Sequence, residues 1–210
     1  MNNLNILELG LVEYQYALNL QKKLVKERMN NSIPDTLLLL EHPDVITLGK
    51  QTKDKDVIEQ SIPIVKIDRG GSATYHGPGQ LIGYIIMDLK KKGITIPVLV
   101  AKIHEILITT LREFNIPAER KESPGIWIDQ KKIASIGLSV KNWITYHGFS
   151  LNINTDLDKF NMIRPCGFDG QIMTSIKLNN NKTISSKAVS YTHLRAHETD
   201  SYLVCRLLLE

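Results

Sequence analysis

Outside its last 21 residues the chain carries one cysteine, Cys166, in the run Arg164-Pro165-Cys166-Gly167-Phe168-Asp169-Gly170. Proline before it and glycine after it put the residue on a stiff, exposed turn rather than in a strand. A thiol so placed can act as a nucleophile if a neighbour lowers its pKa or takes its proton. A lone cysteine is otherwise a small buried hydrophobe. The chemical reading therefore needs a second residue.

Lys132 is the candidate, in the run KKIASIGLSV from 131 to 140. Strand alternation groups Lys132 with Ala134, Ile136, Leu138 and Val140, and Lys131 with Ile133, Ser135, Gly137 and Ser139. The first face is the more apolar one. An ammonium on it stands at the rim of the sheet or is partly desolvated, and desolvation moves its pKa toward the range of acid–base work at neutral pH. Lysines at hairpin ends are otherwise solvated.

Two glycine-bearing stretches could shape a site around such a pair. RGGSATYHGPGQL, residues 69 to 81, places Arg69 and His76 beside Gly70, Gly71, Gly77 and Gly79, between two runs that read as strands. Glycine lets a ligand approach the main chain closely, so such a loop can aim N–H groups at a carbonyl oxygen that becomes negative. The same glycines also serve a plain strand connection. The spacing is not that of a nucleotide-phosphate loop. The second stretch, His147-Gly148-Phe149, repeats the His-Gly pair at the start of a strand. His42 and His104 have no partner at metal-ligand spacing, and no metal or other cofactor is expected.

The elements that must hold these residues alternate irregularly. Residues 4–9, 36–49, 62–68, 81–89, 125–129, 131–140 and 149–154 read as strands, the second as two short ones broken by His42-Pro43-Asp44. Residues 13–29 form an amphipathic helix with Tyr16, Leu20, Leu24 and Val25 on its apolar side. Residues 97–116 form a second, opened by Pro97, with Val98, Leu99, Ile103, Ile106, Leu107, Thr110, Leu111 and Phe114 on one face. Residues 156–163 make a short helix. Many short strands and two long helices indicate an α+β fold with a mixed, largely antiparallel sheet.

The 210 residues suit one domain, and 42% hydrophobic content supports a proper core. No apolar run is long enough to cross a membrane, and the first ten residues lack a secretory pattern, so the cytoplasm is expected. Residues 190–210 contain no Ile, Lys or Asn, which are abundant before them, and resemble translated adapter or vector sequence. The domain is expected to span 1–189, cut short near Val189, with 190–210 a foreign tail. The tail holds two arginines against three acids, so the formal charge of +4 becomes +5 for the rest. That mild excess fits an acidic protein partner or a few phosphates. No dense basic stripe argues for nucleic acid, and no membrane partner is expected.

RGGSATYHGPGQL, KIASIGL, HGFSLNIN and PCG, in that order, resemble the lipoyl(octanoyl) transferase family, the octanoyl-[acyl-carrier-protein]:protein N-octanoyltransferases of lipoate biosynthesis. The resemblance covers about residues 5 to 178. It implies a mixed sheet flanked by helices, similar to the biotin- and lipoate-protein ligase catalytic domain. It implies that Cys166 takes the octanoyl group as a thioester and that Lys132 is its acid–base partner. Arg69, Gly70, Gly71, Ser72, Ala73, Thr74, Tyr75 and His76 would line the acyl site, completed by Ser135, Ile136, Gly137, His147, Gly148 and Phe149. The implied partners are octanoyl-acyl carrier protein and the lipoyl domains of 2-oxoacid dehydrogenase E2 subunits and glycine cleavage H protein. Three other readings stand beside this one: an ATP-dependent lipoate or biotin ligase on the same fold, a non-catalytic acyl-carrier binding module, and a product left unfolded by truncation and tail.

Overall fold

The computed structural model describes residues 4–185, 188 and 189, with Cys166 described in its backbone only. The tail at 190–210 lies outside the described residues. In chain order the elements are β1 (Leu4–Leu11), α1 (Tyr14–Met29), β2 (Asp35–Glu41), β3 (Val45–Leu48), β4 (Ile64–Lys66), β5 (Ala73–His76), β6 (Gln80–Ile86), α2 (Leu89–Lys92), α3 (Ile96–Glu113), β7 (Glu119–Arg120), β8 (Ile126–Ile128), β9 (Lys131–Lys141), β10 (Ile144–Asn152) and α4 (Ile176–Asn180). Short 3₁₀ turns cover Asp54–Asp56, Leu157–Met162 and Pro165–Gly167.

Seven strands form one sheet in the order β1-β2-β6-β10-β9-β8-β7, and β4-β3-β5 form a second. In the large sheet only β1 and β2 run parallel, because α1 carries the chain back between them; the other neighbours are antiparallel. This is the expected α+β architecture. The glycine-rich stretch is less of a loop than its sequence suggests. Residues 73–76 are β5, antiparallel to β3 in the small sheet.

Each face of the large sheet carries one long helix. On one side Leu37, Leu39, Leu81, Ile85, Phe149 and Leu151 pack with Leu99, Ile103, Leu107 and Leu111 of α3. On the other, Leu38, Leu40, Ile82, Tyr84 and Ile86 pack with Ala17, Leu24 and Val25 of α1. The strict alternation along β2 and β6 feeds both cores from the same strands, which is why these runs read as continuously apolar. The buried stripe of α1 is Tyr14, Ala17, Leu18, Gln21, Leu24, Val25 and Arg28. Tyr16, expected on it, is 58% exposed, because the stripe follows the small Ala17 that seats the helix on the sheet. Val98 of α3 is likewise exposed, one position outside the face that packs.

Candidate active site

Lys132 enters the site through a break in strand regularity. β8 pairs Trp127 with Lys132 but Ile126 with Ala134, leaving Ile133 as an extra residue on β9. A bulge of this kind shifts the side-chain alternation by one. Ile133 and Ala134 both point into the α3-side core. Lys132 instead joins the face of Ser135 and Gly137, which line a cavity on the opposite side. Simple alternation, which grouped Lys132 with Ala134 and Ile136, fails here for that reason. The Lys132 side chain is 4% exposed. Its Nζ lies 5.8 Å from the centre of the Trp127 ring, a cation–π approach. Gly125, at φ +115°, leaves the space Lys132 occupies: a Cβ there would sit 2.4 Å from Lys132 Cε.

His147 reaches the same side by a different irregularity. By alternation it belongs with Phe149 on the α3 face. Its φ of +57°, uncommon for a residue with a Cβ, turns it back. Its ring centre lies 6.0 Å from that of Tyr84, which packs on the α1 face. The N–H freed by this twist donates to Gln21 Oε1 of α1 at 2.7 Å. His147 Nε2 stands 3.3 Å from Asp68 Oδ1, and Tyr146 O–H donates to the other oxygen of the same carboxylate. Burial nevertheless lowers the His147 pKa to about 4, so this contact is a neutral hydrogen bond near pH 7.

The glycine loop lies along β9 where β8 has ended. Gly70 N–H donates to Leu138 O at 3.2 Å, so it is committed to the strand and is not one of the donors free for a ligand. Arg69 folds back onto β3: Nη2 donates to Thr47 O and Thr47 Oγ1 at 3.1 Å, and Nη1 to Gly70 O at 3.0 Å. A Cβ on Gly49 would fall 2.4 Å from Gly71 O, so the loop can pack this closely only against glycine. Gly77 and Gly79 serve another purpose. They turn β5 into β6, with Gly79 N–H donating to Glu41 Oε2 at 2.7 Å and its carbonyl accepting from residues 153 to 155.

Asp56 ties three segments together. Its Oδ2 accepts from Lys53 N–H at 2.8 Å and from Ser72 Oγ–H at 2.9 Å, and its carbonyl accepts Arg164 N–H at 2.8 Å. The turn that carries Cys166 is thereby hung beside the glycine loop. From the far side, Thr174 N–H donates to Lys132 O at 2.9 Å, and Met173 bridges to Lys132. A buried polar chain leads back from there. Asn152 Nδ2 donates to Thr174 O at 3.0 Å, Gln80 Nε2 to Asn152 Oδ1 at 2.9 Å, and His76 Nδ1 to Gln80 Oε1 at 2.7 Å. Burial lowers His76 to about 3 and His42, whose Nε2 accepts from Tyr84 O–H, to about 4. These three imidazoles are neutral at ordinary pH.

The cavity so enclosed has a volume of about 730 Å³, the size of a small-molecule site. It collects Arg69, Gly70, Gly71, Ser72, Ala73, Thr74, His76, Lys132, Ser135, Ile136, Gly137, His147, Gly148 and Phe149. Pro165 and Gly167, on either side of Cys166, are in its wall; the Cys166 side chain itself lies outside what the structure describes. Tyr75 is not in the lining. It points to the other side of β5, its ring centre 5.2 Å from that of Phe160 and its O–H donating to Asp44 at 2.8 Å. Tyr14, Tyr84, Lys53, Lys55, Asp56 and Arg164 also line the cavity. Only Arg164, beside Pro165-Cys166, had a sequence signal that could have drawn attention to it. Among the described residues no cluster of His, Cys, Asp and Glu could hold a metal ion, and no helix is long and apolar enough to cross a membrane.

The fold is shared with solved lipoate-protein and biotin protein ligases. It is similar to lipoate-protein ligase A bound with ATP (TM-score 0.70, 16% identity, 99% of this chain and 85% of that one). It is also similar to biotin protein ligase from Aquifex aeolicus (TM-score 0.51, 13% identity, 100% of this chain and 71% of that one). Residues 13–198 match the lipoyl protein ligase A/B catalytic domain. An octanoyltransferase of Geotalea uraniireducens is 41% identical over 189 residues, covering 88% of each chain. One of Legionella pneumophila (strain Lens) is 48% identical over 170 residues, covering 80% of this chain and 85% of that one. The chain therefore belongs to the lipoyl protein ligase A/B catalytic domain family, within its octanoyltransferases. It is an acyltransferase of lipoate biosynthesis.

Proposed function

We propose that the cavity moves an octanoyl group from an acyl carrier protein thioester to the ε-amine of a lysine on a lipoyl domain, with Cys166 as the nucleophile and Lys132 as the proton carrier. The observation that carries the reading is the bulge at Ile133, which turns a buried lysine into the cavity walled by Pro165 and Gly167. In the first step Lys132 takes the thiol proton and the sulfur attacks the carrier thioester. A new C–S bond forms, the old one breaks, and the departing carrier sulfur takes the proton from Lys132. In the second step the acceptor amine attacks the enzyme thioester. Lys132 takes the amine proton and returns it to the Cys166 sulfur as the amide forms. One thioester exchanges for another and then becomes an amide, so no ATP is consumed.

Near pH 7 the low pKa values of His42, His76 and His147 leave those residues unprotonated. Their part is to shape the cavity and hold its walls. Ile136, Phe149 and Ala73 offer apolar wall to the acyl chain. The acceptors are lipoyl domains of 2-oxoacid dehydrogenase E2 subunits and glycine cleavage H protein. A nucleophilic thiol needs a reducing compartment, in agreement with a cytoplasmic location.

Intact-protein mass spectrometry tests this directly. The enzyme is incubated with octanoyl-acyl carrier protein, without ATP, beside Cys166→Ser. A hydroxylamine-labile gain of one octanoyl group, absent from the variant, is the expected result. No adduct on a folded enzyme would overturn the thioester route.

A further inference from the structure

Among the described residues, the charged side chains lining the cavity are Lys53, Lys55, Arg69 and Arg164 against the carboxylate Asp56, with Lys132 uncharged when it is ready to take a proton. With the histidines neutral, that is a net +3. Three of these four cations stand exposed: Lys53, Lys55 and Arg164. None of these three makes an ion pair among the described residues. They come from two separate segments, and Asp56 draws those segments together through Lys53 N–H and Arg164 N–H. Asp56 is itself buried, and its Oδ2 is taken up by Lys53 N–H and Ser72 Oγ–H. Burial works to raise its pKa, but the hydrogen bonds from Lys53 N–H and Ser72 Oγ–H, and then the charges of Lys53 and Lys55, hold its carboxyl below the usual value.

A neutral acyl chain gives such a rim nothing to recognise. The donor named above does. Its thioester hangs on a phosphopantetheine arm, and the one charged group of that arm is a phosphodiester at the end remote from the sulfur. We propose that Lys53, Lys55 and Arg164 form an anion subsite at the cavity mouth that takes this phosphodiester while the thioester reaches Lys132. The proposal rests on the carrier-thioester reading. Two lysines and an arginine from facing segments can surround a tetrahedral anion with charge-assisted hydrogen bonds.

The test compares two small donors on the full chain, octanoyl-pantetheine and octanoyl-4′-phosphopantetheine, neither of which has a protein surface. The reading is kcat/KM for release of the free thiol at low salt. The phosphorylated donor is expected to be better by about tenfold or more, the worth of a charge-assisted contact. In the double variant Lys53→Ala/Lys55→Ala, checked for an unchanged melting curve, the ratio of the two donors should fall to about one. Lys53→Arg/Lys55→Arg should retain it.

Equal rates in the parent enzyme, or a ratio that survives the alanine variant, would overturn the subsite. So would an alanine variant impaired only with intact octanoyl-acyl carrier protein, since the lysines would then read the carrier's acidic surface. Amide formation from free octanoate and ATP, lost in the same variant, would assign the rim to a nucleotide phosphate instead. If octanoyl-acyl carrier protein acylates the enzyme while the donor ratio is one, the subsite alone fails. If no donor acylates a folded enzyme, the thioester reading fails and the subsite falls with it.

Discussion

The two faces of the seven-stranded sheet are made by the same strands and obey different rules. On the α3 face, Leu37, Leu39, Leu81, Ile85, Phe149 and Leu151 follow one another at every second residue and meet a helix of matching period. On the α1 face the alternation holds only as far as Ile82, Tyr84 and Ile86. Toward the site it gives way to a bulge at Ile133 and a left-handed residue at His147. One face is organised to exclude water and the other to bring polar side chains out of phase into one cavity. Irregular backbone costs stability, and here it is concentrated where Lys132 and His147, which regular strands would point into the core, turn toward the cavity instead.

That contrast predicts opposite responses on the two faces. The largest effect should be on rate. Lys132→Met should lower kcat by about 10²- to 10⁴-fold, the usual worth of a positioned proton carrier. Its melting temperature should shift by far less than that of a core truncation, because methionine keeps the apolar stem that fills the same space. A parallel loss of rate and stability would make Lys132 a structural residue. Leu107→Ala, in the α3 core, should do the reverse. It should cost about 2–5 kcal/mol of unfolding free energy by denaturant titration, with kcat per folded molecule unchanged.

Gly125→Ala should affect both properties, because this position belongs to both faces. The new Cβ would meet Ala134 O at 2.5 Å and Lys132 Cε at 2.4 Å from a backbone at φ +115°. About 1–3 kcal/mol of stability should be lost, together with a tenfold to hundredfold drop in kcat from displacement of Lys132. A drop in stability with full kcat would show that Lys132 does not depend on this space.

The smallest effect concerns pH. The folded pKa values of His42 and His147, about 4, lie below the unfolded value near 6.5. Between those limits the unfolded chain binds more protons than the native one, so stability rises with pH across the window and is lost as pH falls from about 6.5 toward 4. Denaturant midpoints measured from pH 7 to pH 5 should show this slope. His42→Gln should flatten it by about 1 kcal/mol per pH unit. An unaltered slope would mean that His42 is not buried neutral.

Much of this was legible from residues alone. The apolar runs at 36–49 and 81–89, the apolar period of 97–116 and the paired runs at 125–129 and 131–140 predicted elements that the structure has within a few residues. The clusters around Arg69, Lys132, His147 and Cys166 were also visible as residue types, although they stand far apart in the chain. Tyr75 was misread with its neighbours. Once residues 73–76 pair with β3 they must alternate, and a loop reading carries no such constraint. Lys53, Lys55 and Asp56 had no local signal, since their importance comes from Ser72 and Arg164 arriving from elsewhere.

The sequence by itself determined which segments can be strands or helices, because side-chain period and turn chemistry are local properties of the chain. It also determined the stock of reactive groups, down to one cysteine before residue 190. Only the tertiary structure decided which face Lys132 and His147 occupy. Ile133 becomes a bulge only when β8 pairs on both sides of it, and the twist at His147 holds only because Gln21 of α1 accepts the N–H it frees. Both depend on partners distant in sequence, and direction across a strand changes by half a turn with a single residue of slip.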